Sequence, residues 1–420
     1  MREWVECRLT DIAAYHNGLA FKPSDWSEDG LPIIRIEQLN NPEGPSDRYL
    51  GEVPEVNRIR DGDLLFSWSA TLKVVIWKHG EGALNQHLFK VVPKEDFEVR
   101  FVYYLLDWCM DALSAGSHGS TMKHIKRSEL QKFKVRVPSI RAQRRISQVL
   151  NSIDTAIEKT EALIAKHQQI KAGLMHDLFT RGVLPNGQLR PKESLVLTPL
   201  GRLPDSWRLG SILELTDPLR QPILTGPFGA DLGSSDFVDE GVPVLRIGNV
   251  QQGFLDLSNL LHVSDQKAST LARYRIQTGD LLFARQGATT GRNALADDRA
   301  NGSLINYHII RVALDEERCA PLFVEAAFAS DVVKRQIERD KGRGTREGIN
   351  TAQLTSLEFP IAPVDEQRRI AELLSRQNKV IATTQHHQET LQKQKLGLMQ
   401  DLLTGRVPVP AAPEPAEAAA

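Results

Sequence analysis

The chain has 420 residues, of which 25% are charged and 41% hydrophobic, and its formal net charge at pH 7 is −1. This length suits about two to four domains of an ordinary soluble globular protein. A charge so close to zero excludes a uniformly basic nucleic-acid coat protein but leaves local basic patches open. Three isolated cysteines predict a reduced, cytoplasmic protein. No secretory signal or long apolar run occurs, so no membrane partner is expected.

Residues 1–140 predict a first globular domain. Residues 101–114 have the apolar spacing of a helix, and the Gly/Ser-rich residues 116–120 predict a flexible loop. Short apolar runs predict strands at 31–36, 62–68, 72–77, 88–92 and 133–137. One helix among several short strands indicates an α+β domain, or an α/β domain with a small mixed sheet.

Residues 141–183 predict a long helix, and so do residues 364–406. Residues 143–183 recur without a gap as residues 367–407, at a constant offset of 224. Both copies open with Gln-Arg-Arg-Ile and close with Lys-x-Gly-Leu-Met-x-Asp-Leu, and Gly182 and Gly405 stand where a left-handed residue ends a helix. Apolar side chains recur every three or four residues in a narrow stripe that includes Leu163, Ile170 and Val380, along a rod of roughly 60 Å. One such helix cannot bury its own stripe, so the two are predicted to form an antiparallel coiled coil.

Paired arginines occupy the first turn of each predicted helix: Arg144 and Arg145 in the first, Arg368 and Arg369 in the second. Cations at this end oppose the helix macrodipole. Solvated surface, or local pairing with Asp365 or Glu366, is one explanation. The other is that these arginines dock an acidic partner.

The second half repeats the first more weakly. Residues 184–206 predict a linker interrupted by proline and glycine, and residues 207–363 a second globular domain. Gly-Asp-Leu-Leu-Phe occurs at 62–66 and 279–283, and Asn-x-His at 85–87 and 306–308. The Pro/Ala-rich residues 407–420 predict a disordered tail. The chain is therefore expected to be a tandem duplication of globular domain and helix.

Motifs for catalysis are absent from the sequence. No Gly-Lys of a phosphate-binding loop, no Glu-x-Lys of a metal-dependent nuclease and no Asn-Pro-Pro-aromatic stretch of a base methyltransferase occurs. The zinc-protease and serine-hydrolase motifs are missing as well. The sequence predicts no catalytic residue, no metal site and no cofactor bound by this chain.

Basic and polar residues suited to DNA recur at matching places in the two halves. Lys and Arg are concentrated over 123–145 and 334–346, and Arg285, Arg292, Arg299 and Arg311 add to the second half. Cations in Gly/Ser loops suit phosphates, whereas Arg, Gln, Asn and His at strand ends suit base edges. The candidates in the first half are Asn85, Gln86, His87, His118, Lys123, Lys126 and Arg127. Those in the second half are Arg246, Asn249, Arg285, Gln286, Asn306, Tyr307, His308, Arg343 and Arg346. Taken singly, a solvated loop cation or a structural asparagine (Asn85, Asn306) is the alternative explanation.

These features together resemble the specificity subunit of a type I restriction–modification enzyme. The resemblance covers nearly the whole chain and rests on the Gln-Arg-Arg-Ile openings after Pro138 and Pro363, the closing helix pattern, the Gly-Asp-Leu-Leu-Phe turns and the loop at 344–350. The first half departs from the pattern at 119–125, where the second keeps the fuller loop.

The resemblance implies two target recognition domains, each recognising half of a split, asymmetric sequence in double-stranded DNA. The paired helices would set the gap between the half-sites and dock two modification subunits, which hold S-adenosylmethionine and methylate adenine. Two restriction or translocase subunits, which use ATP and Mg²⁺, can join such complexes. The specificity subunit itself performs no catalysis.

Two other functions stay open on the sequence alone. A coiled-coil scaffold whose globular domains bind proteins fits the near-zero net charge. A self-contained nuclease or methyltransferase would need a motif that the sequence lacks. DNA binding that weakens steeply with salt would separate the first function from the scaffold.

Overall fold

The computed structural model describes residues 4–115, 125, 127–229, 231–341 and 348–409. The chain divides into two compact units, one made of residues 1–162 and 385–420 and the other of residues 163–384. The predicted tail falls mostly outside the described residues, as do most of the loops predicted near residues 116 and 342.

The described part of the first unit contains ten short strands, four short or medium helices, the start of one long helix and the end of another. The strands are Val5–Arg8 (β1), Ala13–Asn17 (β2), Leu31–Ile34 (β3), Arg48–Tyr49 (β4), Arg58–Ile59 (β5), Leu64–Ser67 (β6), Lys73–Ile76 (β7), Gly82–Leu84 (β8), Leu88–Pro93 (β9) and Lys134–Val137 (β10). The helices are Leu9–Ile12 (α1), Ile36–Asn40 (α2), Val99–Ala115 (α3), Arg127–Lys132 (α4) and Ile140–Arg181 (α5), with 3₁₀ turns at Pro23–Asp25 and Glu55–Asn57.

The second unit contains the end of α5, fourteen described strands and the start of a second long helix. The strands are Leu195–Thr198 (β11), Gly201–Pro204 (β12), Arg208–Gly210 (β13), Ile223–Thr225 (β14), Phe237–Val238 (β15), Val242–Leu245 (β16), Val250–Gln251 (β17), Phe254–Leu255 (β18), Leu261–Val263 (β19), Leu281–Ala284 (β20), Asn293–Leu295 (β21), Leu304–Ile305 (β22), Ile309–Val312 (β23) and Phe359–Ile361 (β24). The helices are Asp265–Thr270 (α6), Pro321–Ala329 (α7), Asp331–Lys341 (α8), Thr351–Ser356 (α9) and Val364–Leu403 (α10). The 3₁₀ turns are Lys192–Ser194, Ile212–Leu215, Ser234–Asp236, Ile247–Asn249, Ala272–Tyr274 and Gly287–Thr289.

Matching sheets in the two units confirm the predicted duplication and the α+β class. The antiparallel sheet β2-β9-β6-β7 corresponds to β14-β23-β20-β21. In a second sheet, the parallel pair β3–β8 corresponds to β16–β22. The pair β1–β10 corresponds to β13–β24. The same chain path is therefore used twice, with loops of different length.

In both Gly-Asp-Leu-Leu-Phe turns, the aspartate holds the turn together and the residues after it form a buried strand. Asp63 and Asp280 each accept a backbone N–H three residues earlier, at 2.8 Å in both cases. Asp63 also binds Lys90 at 2.8 Å, and Asp280 binds Arg220 at 2.7 Å. The strands that follow, β6 and β20, are buried at every position and form the centre of each sheet.

The two long helices run antiparallel, as predicted, and each unit contains one stretch of their pairing. In the first unit, Asp154 of α5 binds Lys395 of α10 at 2.8 Å, and Glu161 accepts from Gln388 at 2.9 Å. In the second unit, the amide of Gln377 donates to the carbonyl of His167 at 2.9 Å. Partner numbers fall along one helix as they rise along the other, which is the signature of an antiparallel pair.

Fewer residues of the two long helices are buried than their apolar spacing predicted. Ile146, Leu150 and Leu178 of α5 are fully buried, whereas the predicted seam residues Leu163 and Ile170 are each 45% exposed. Val380 of α10 is 41% exposed. The sequence prediction is wrong for these three residues, because polar pairs such as Gln377–His167 occupy the middle of the helices.

Each long helix ends against an aromatic residue at the start of a globular domain. Gly182 and Gly405 have φ of 63° and 73°, which confirms the predicted left-handed ends. A Cβ on Gly182 would lie 3.1 Å from the ring of Trp207, and one on Gly405 would lie 2.7 Å from Trp4. Glycine is needed at both ends for its conformation and for this contact.

The segment predicted as a linker has structure of its own. Residues 195–204 form the hairpin β11–β12. Arg190, which precedes the hairpin, binds the buried carboxylate of Glu366 with Nη2 2.8 Å from Oε2, and the same carboxylate accepts the N–H of Val183 at 2.8 Å. Glu366 therefore ties the chain after α5 to the first turn of α10, instead of pairing with the neighbouring arginines.

The cysteines are free thiols, as predicted. Burial raises the pKa of Cys109 and of Cys319 to about 12, so both stay protonated at neutral pH. Among the described residues, no helix is both long and apolar enough to cross a membrane.

Glu325 of α7 gives a stability prediction that depends on pH. The side chain is 7% exposed, and burial raises its pKa to about 7, against the opposing attraction of Lys171. A raised folded-state pKa means that the native state holds the proton more tightly than the unfolded chain. Stability contributed at this site is therefore lost as pH rises from about 4.5 to about 7.

We expect Glu325→Gln to be more stable than wild type above pH 7, by on the order of 2 kcal/mol, and close to wild type near pH 5. Urea unfolding of both proteins at pH 5 and pH 8 measures this difference. Glu338→Gln, at an exposed glutamate of the adjacent α8, is the control and should show no such change. Parallel pH profiles for Glu325→Gln and wild type would contradict the assignment.

Candidate nucleic-acid interface

A three-residue turn at the same sheet end in each unit carries the repeated Asn-x-His sequence. It joins β8 to β9 in the first unit and β22 to β23 in the second. The side-chain oxygens of Asn85 and Asn306 accept the N–H of His87 and His308, at 3.2 and 3.1 Å. The alternative explanation is therefore correct for these amide oxygens: they shape the turn.

A glycine lies directly beneath each turn. A Cβ on Gly18 would lie 2.2 Å from the carbonyl oxygen of Asn85, and one on Gly226 would lie 2.2 Å from that of Asn306. Any larger residue would displace the turn, so glycine is required by close backbone approach. Sequence reasoning missed both glycines, although each directly follows the first strand of the repeated sheet, β2 or β14.

In the second unit the structure brings four of the predicted residues together. Arg285 follows β20, and its guanidinium carbon lies 5.0 Å from the ring centroid of Tyr307. Tyr307 also contacts the ring of His308 at 4.9 Å and that of Phe228 at 4.5 Å. The amide oxygen of Gln286 lies 2.6 Å from Nδ1 of His308. Phe228 is 59% exposed, so this cluster is a surface feature with an aromatic centre.

The electrostatics of the cluster keep its histidine neutral. Burial of the ring, and then the positive charge of Arg285, lower the pKa of His308 below its usual 6.5. At neutral pH the ring therefore carries one proton and presents one donor and one acceptor nitrogen. The cation available for anionic or electron-rich groups is Arg285 itself.

Arg246 and Asn249 belong to the loop after β16, next to the same turn. Arg246 is exposed, and the carbonyl of Leu245 before it accepts the N–H of Asn306 at 3.0 Å. Asn249 is 5% exposed, and its amide accepts from the backbone of Arg246 at 2.7 Å and donates to Asp256 at 2.8 Å. Asn249 is thus a buried loop-forming residue, and its prediction as a DNA contact is corrected.

The first unit has a matching cluster with different side chains. Trp68 occupies the place of Arg285, and its ring lies 5.7 Å from that of His87. Ser69 occupies the place of Gln286, with its hydroxyl 3.4 Å from Nδ1 of His87. Gln86 and His87 are exposed. Trp68 and Ser69 were missed by sequence reasoning because neither resembles its counterpart.

Backbone hydrogen bonds establish this correspondence independently of side chains. The N–H of Ile125 donates to the carbonyl of Trp68 at 2.9 Å, and that of Ile349 donates to Arg285 at 2.8 Å. These isoleucines border segments outside the described residues, which contain the predicted contacts His118, Lys123, Lys126, Arg343 and Arg346. Arg127, at the start of α4, is exposed.

Several arginines of the second half are occupied within the fold. Arg311 is 3% exposed, lies 3.8 Å from Asp280 and donates to the carbonyl of Gln221 at 3.0 Å. Its contribution to a surface basic patch is corrected, because it belongs to a buried ion network. Arg299 binds Asp297 at 2.7 Å, and Arg292 donates to Gln251 at 2.8 Å.

At the helix starts, packing within the fold explains the glutamine and the isoleucine of the Gln-Arg-Arg-Ile motif but not the two arginines between them. Gln143 and Gln367 are buried, and each amide bonds to backbone on two sides: Gln143 to Glu98 and Pro138, Gln367 to Ala320 and Ala362. The isoleucines that close the motif are fully buried.

The arginines between them point to another role. Arg144, Arg145 and Arg368 are exposed and Arg369 is half-buried. Arg368 lies 3.6 Å from Asp365, an exposed pair of the kind that contributes little to stability. The repetition of these cations in both helices is therefore not explained by folding.

The described part of the chain holds no group of three or more His, Cys, Asp or Glu side chains placed to bind a metal ion. The two clusters instead present hydrogen-bond donors, an acceptor, a cation and aromatic faces at the ends of paired strands. This combination suits recognition of base edges and phosphates.

Comparison with known proteins gives a family match over more than half of the chain. The family model described as "Type I restriction modification DNA specificity domain" matches residues 1–167 and 232–393. The EcoBI specificity subunit of Escherichia coli is 23% identical over 87% of this chain and 77% of its own length. The MjaVIII specificity subunit of Methanocaldococcus jannaschii is 21% identical over 97% of this chain and 93% of its own.

Solved structures show the same fold. The S subunit of a type I restriction–modification system from M. genitalium superposes with a TM-score of 0.57, covering 96% of each chain at 13% identity. A chain from a structure titled for the assembly and conformational transition of the type I R-M system gives a TM-score of 0.56, covering 96% of this chain and 98% of its own at 16% identity.

The close contact beneath the second turn gives a direct test of the geometry. Gly226→Ala would place a Cβ 2.2 Å from the Asn306 carbonyl, and we expect this overpacking to destabilise the protein by about 1–3 kcal/mol. Gly248→Ala is the control, because its Cβ would meet no atom within 4 Å. Denaturant unfolding of the three proteins measures the effect, and equal stability for both variants would show that the turn tolerates a side chain.

Proposed function

Because this chain belongs to the family of type I restriction–modification DNA specificity domains, we propose that each of its two globular domains recognises one half of a bipartite, asymmetric DNA target. The chain is a specificity subunit with DNA-recognition domains and a non-catalytic component of a multisubunit enzyme. The family relationship supports this function and does not support the coiled-coil scaffold.

The observation that supports a two-part target is that equivalent positions in the two domains make the same backbone hydrogen bond but have different side chains. The residue after the central strand makes the same backbone bond in both units, to Ile125 or Ile349. Its side chain is Trp68 in one and Arg285 in the other, and the next residue is Ser69 or Gln286. Two domains that recognised the same half-site would need the same side chains at these places. The divergence supports two different half-sites.

In the second domain, Arg285 is the residue best prepared for a base contact. Stacking on Tyr307 and a bond from Nε to the carbonyl of Ile349 at 3.4 Å restrict its rotamers before DNA arrives. Arginine donates two parallel hydrogen bonds to O6 and N7 of guanine, the commonest specific contact in the major groove. We assign a guanine contact to Arg285 and phosphate or base contacts to the other candidates: Gln86, His87, His118, Lys123, Lys126, Arg127, Arg246, Gln286, Tyr307, His308, Arg343 and Arg346.

The paired helices are assigned two roles. Joining two DNA-recognition domains by paired helices makes the second contact effectively intramolecular, so that specificity for two short sites is combined. The helices would then set the gap between the half-sites. The exposed arginines Arg144, Arg145 and Arg368 and the half-buried Arg369 are assigned to docking one modification subunit at each helix start.

The partner subunits are assigned the chemistry that this chain lacks. Two modification subunits would hold S-adenosylmethionine and methylate adenine, and restriction subunits using ATP and Mg²⁺ would complete a cleaving complex. Methylation of a base inside a duplex requires that it be flipped out of the stack. A function on double-stranded DNA supports a cytoplasmic location for the protein.

The assignment of Arg285 predicts a loss confined to one half-site. We expect Arg285→Ala to reduce discrimination at one base pair of one half-site by roughly tenfold to a hundredfold, with the other half-site unchanged. Sequencing of methylated sites in a library of gapped targets, treated with the complete methyltransferase complex, measures this. Arg299→Ala, at an exposed arginine of the same domain, is the control. A change in both half-sites, or an equal effect of Arg299→Ala, would count against the assignment.

If these arginines dock the modification subunits, reversing their charge should weaken assembly of the complex. We expect Arg144→Glu combined with Arg368→Glu, at equivalent exposed positions, to weaken binding of the modification subunits by roughly tenfold or more, because an acidic partner surface would be repelled. Sedimentation of the subunits without DNA measures assembly. Arg376→Glu, at an exposed arginine farther along α10, is the control, and unchanged assembly of the double variant would exclude these arginines from docking.

A further inference from the structure

The second DNA-recognition domain contains a histidine whose hydrogen-bonding role is determined by its neighbour. Nδ1 of His308 lies 2.6 Å from the amide oxygen of Gln286. An amide oxygen can only accept, so the bond places a hydrogen on Nδ1. In a neutral ring the other nitrogen, Nε2, then has no hydrogen and can only accept.

We propose that Gln286 is a positioning residue that makes His308 a hydrogen-bond acceptor toward DNA, so that Nε2 selects a base carrying an exocyclic amino group in the second half-site. In the major groove this group is N6 of adenine or N4 of cytosine. Guanine and thymine present acceptors at the corresponding places and are rejected. This inference rests on the proposed function and names the base chemistry that one side chain of that site recognises.

The surroundings of the His308 ring favour the neutral form in which Nε2 is a hydrogen-bond acceptor. Arg285, at the end of β20, is the charged side chain that acts on His308, and its positive charge opposes a second proton on the ring. The ring packs on one side against Tyr307, at 4.9 Å between centroids and 62° between planes. The backbone N–H of His308 is held by Asn306 at 3.1 Å. No described residue bonds to Nε2, which leaves that nitrogen available to a ligand.

In the first domain a side chain also contacts Nδ1 of the equivalent histidine, but that side chain does not determine which ring nitrogen carries the hydrogen. Ser69 holds Nδ1 of His87 from the equivalent place, at 3.4 Å. A hydroxyl both donates and accepts, so Ser69 orients the ring without deciding which nitrogen carries the hydrogen. The histidine is therefore retained in both domains, and the neighbour decides its chemistry. The assignment of an acceptor applies to His308 alone.

The decisive variant is Gln286→Glu, which keeps the shape of the side chain and an acceptor at Nδ1. The negative charge of the new glutamate offsets the positive charge of Arg285. It therefore stabilises a doubly protonated His308 ring, in which both nitrogens donate hydrogen bonds. We expect the preferred base at one position of the second half-site to change from adenine or cytosine to guanine or thymine. A residue with a purely structural role would weaken all positions without changing the identity of the base.

The measurement uses the full-length chain in complex with its modification subunits and a DNA library randomised across the second half-site. Sequencing of methylated products gives the base preference at each position, and the intact first half-site is the internal reference. We expect His308→Ala to reduce preference at the same single position by roughly tenfold. Ser69→Ala should leave the second half-site unchanged.

A second variant covers the case in which Gln286→Glu does not fold, as judged by circular dichroism and thermal unfolding. Gln286→Met has a similar volume but no acceptor, so the ring is free to carry its hydrogen on either nitrogen. We expect the position to accept amino-bearing and carbonyl-bearing bases alike.

The outcomes separate this inference from the function on which it rests. If the wild-type complex methylates no two-part motif, the proposed function itself fails. If the wild-type motif is present and its second half-site selects adenine or cytosine at the position sensitive to His308→Ala, retention of that preference by both Gln286 variants overturns the positioning role. A guanine or thymine at that position in wild type overturns the acceptor assignment.

Discussion

The architecture depends on a stripe of apolar side chains that no single helix can bury. Each long helix presents its stripe to a segment of the other, and that segment comes from the distant half of the chain. The first unit consequently contains residues 385–420 as well as 1–162. Met399, Leu402 and Leu403 pack in one core with Leu9, Phe101 and Ile146. The repeated helix is thus a requirement of each globular domain as well as a connection between them.

The buried glutamines complete this arrangement at the helix starts. The amide of Gln143 is shared between Glu98 and Pro138, and that of Gln367 between Ala320 and Ala362. A buried amide with both groups bonded is costly to replace, because any substitution leaves backbone groups without partners. This explains the identity of the motif in both copies. It also separates the glutamine, whose role is internal, from the arginines beside it, which the packing of the fold does not require.

Much of the fold followed from the sequence because the informative signals were local. The helix repeat, the strands β6 and β20 after their Gly-Asp turns, and the glycines that end α5 and α10 are all specified by neighbouring residues. The burial of Arg311 did not follow, because its partner Asp280 lies on a different strand connection. The burial of Asn249 did not follow either, because it depends on how the loop after β16 folds back to bring the carbonyl of Asp256 to its amide.

The recognition cluster was predictable in one domain and only partly in the other. Arg285, Gln286, Tyr307 and His308 have the chemistry expected of base contacts and lie beside motifs that recur in both halves, so the sequence identified them. Trp68 and Ser69 occupy the same backbone positions in the first domain, but a tryptophan after a strand is more often a core residue. Their correspondence to Arg285 and Gln286 is shown only by the hydrogen bond that Ile125 makes to Trp68, as Ile349 does to Arg285.

The presence of Met399, Leu402 and Leu403 in the core of the first unit also sets the order of events during synthesis. The ribosome releases residues 1–140 long before these side chains exist, so the first domain cannot close its core as it emerges. Its helix α3 and the start of α5 must wait with apolar surface uncovered, which exposes the nascent chain to aggregation and to chaperones. The second unit has no such delay, because all of its segments lie within residues 163–384. The domain made first is therefore the one that is finished last.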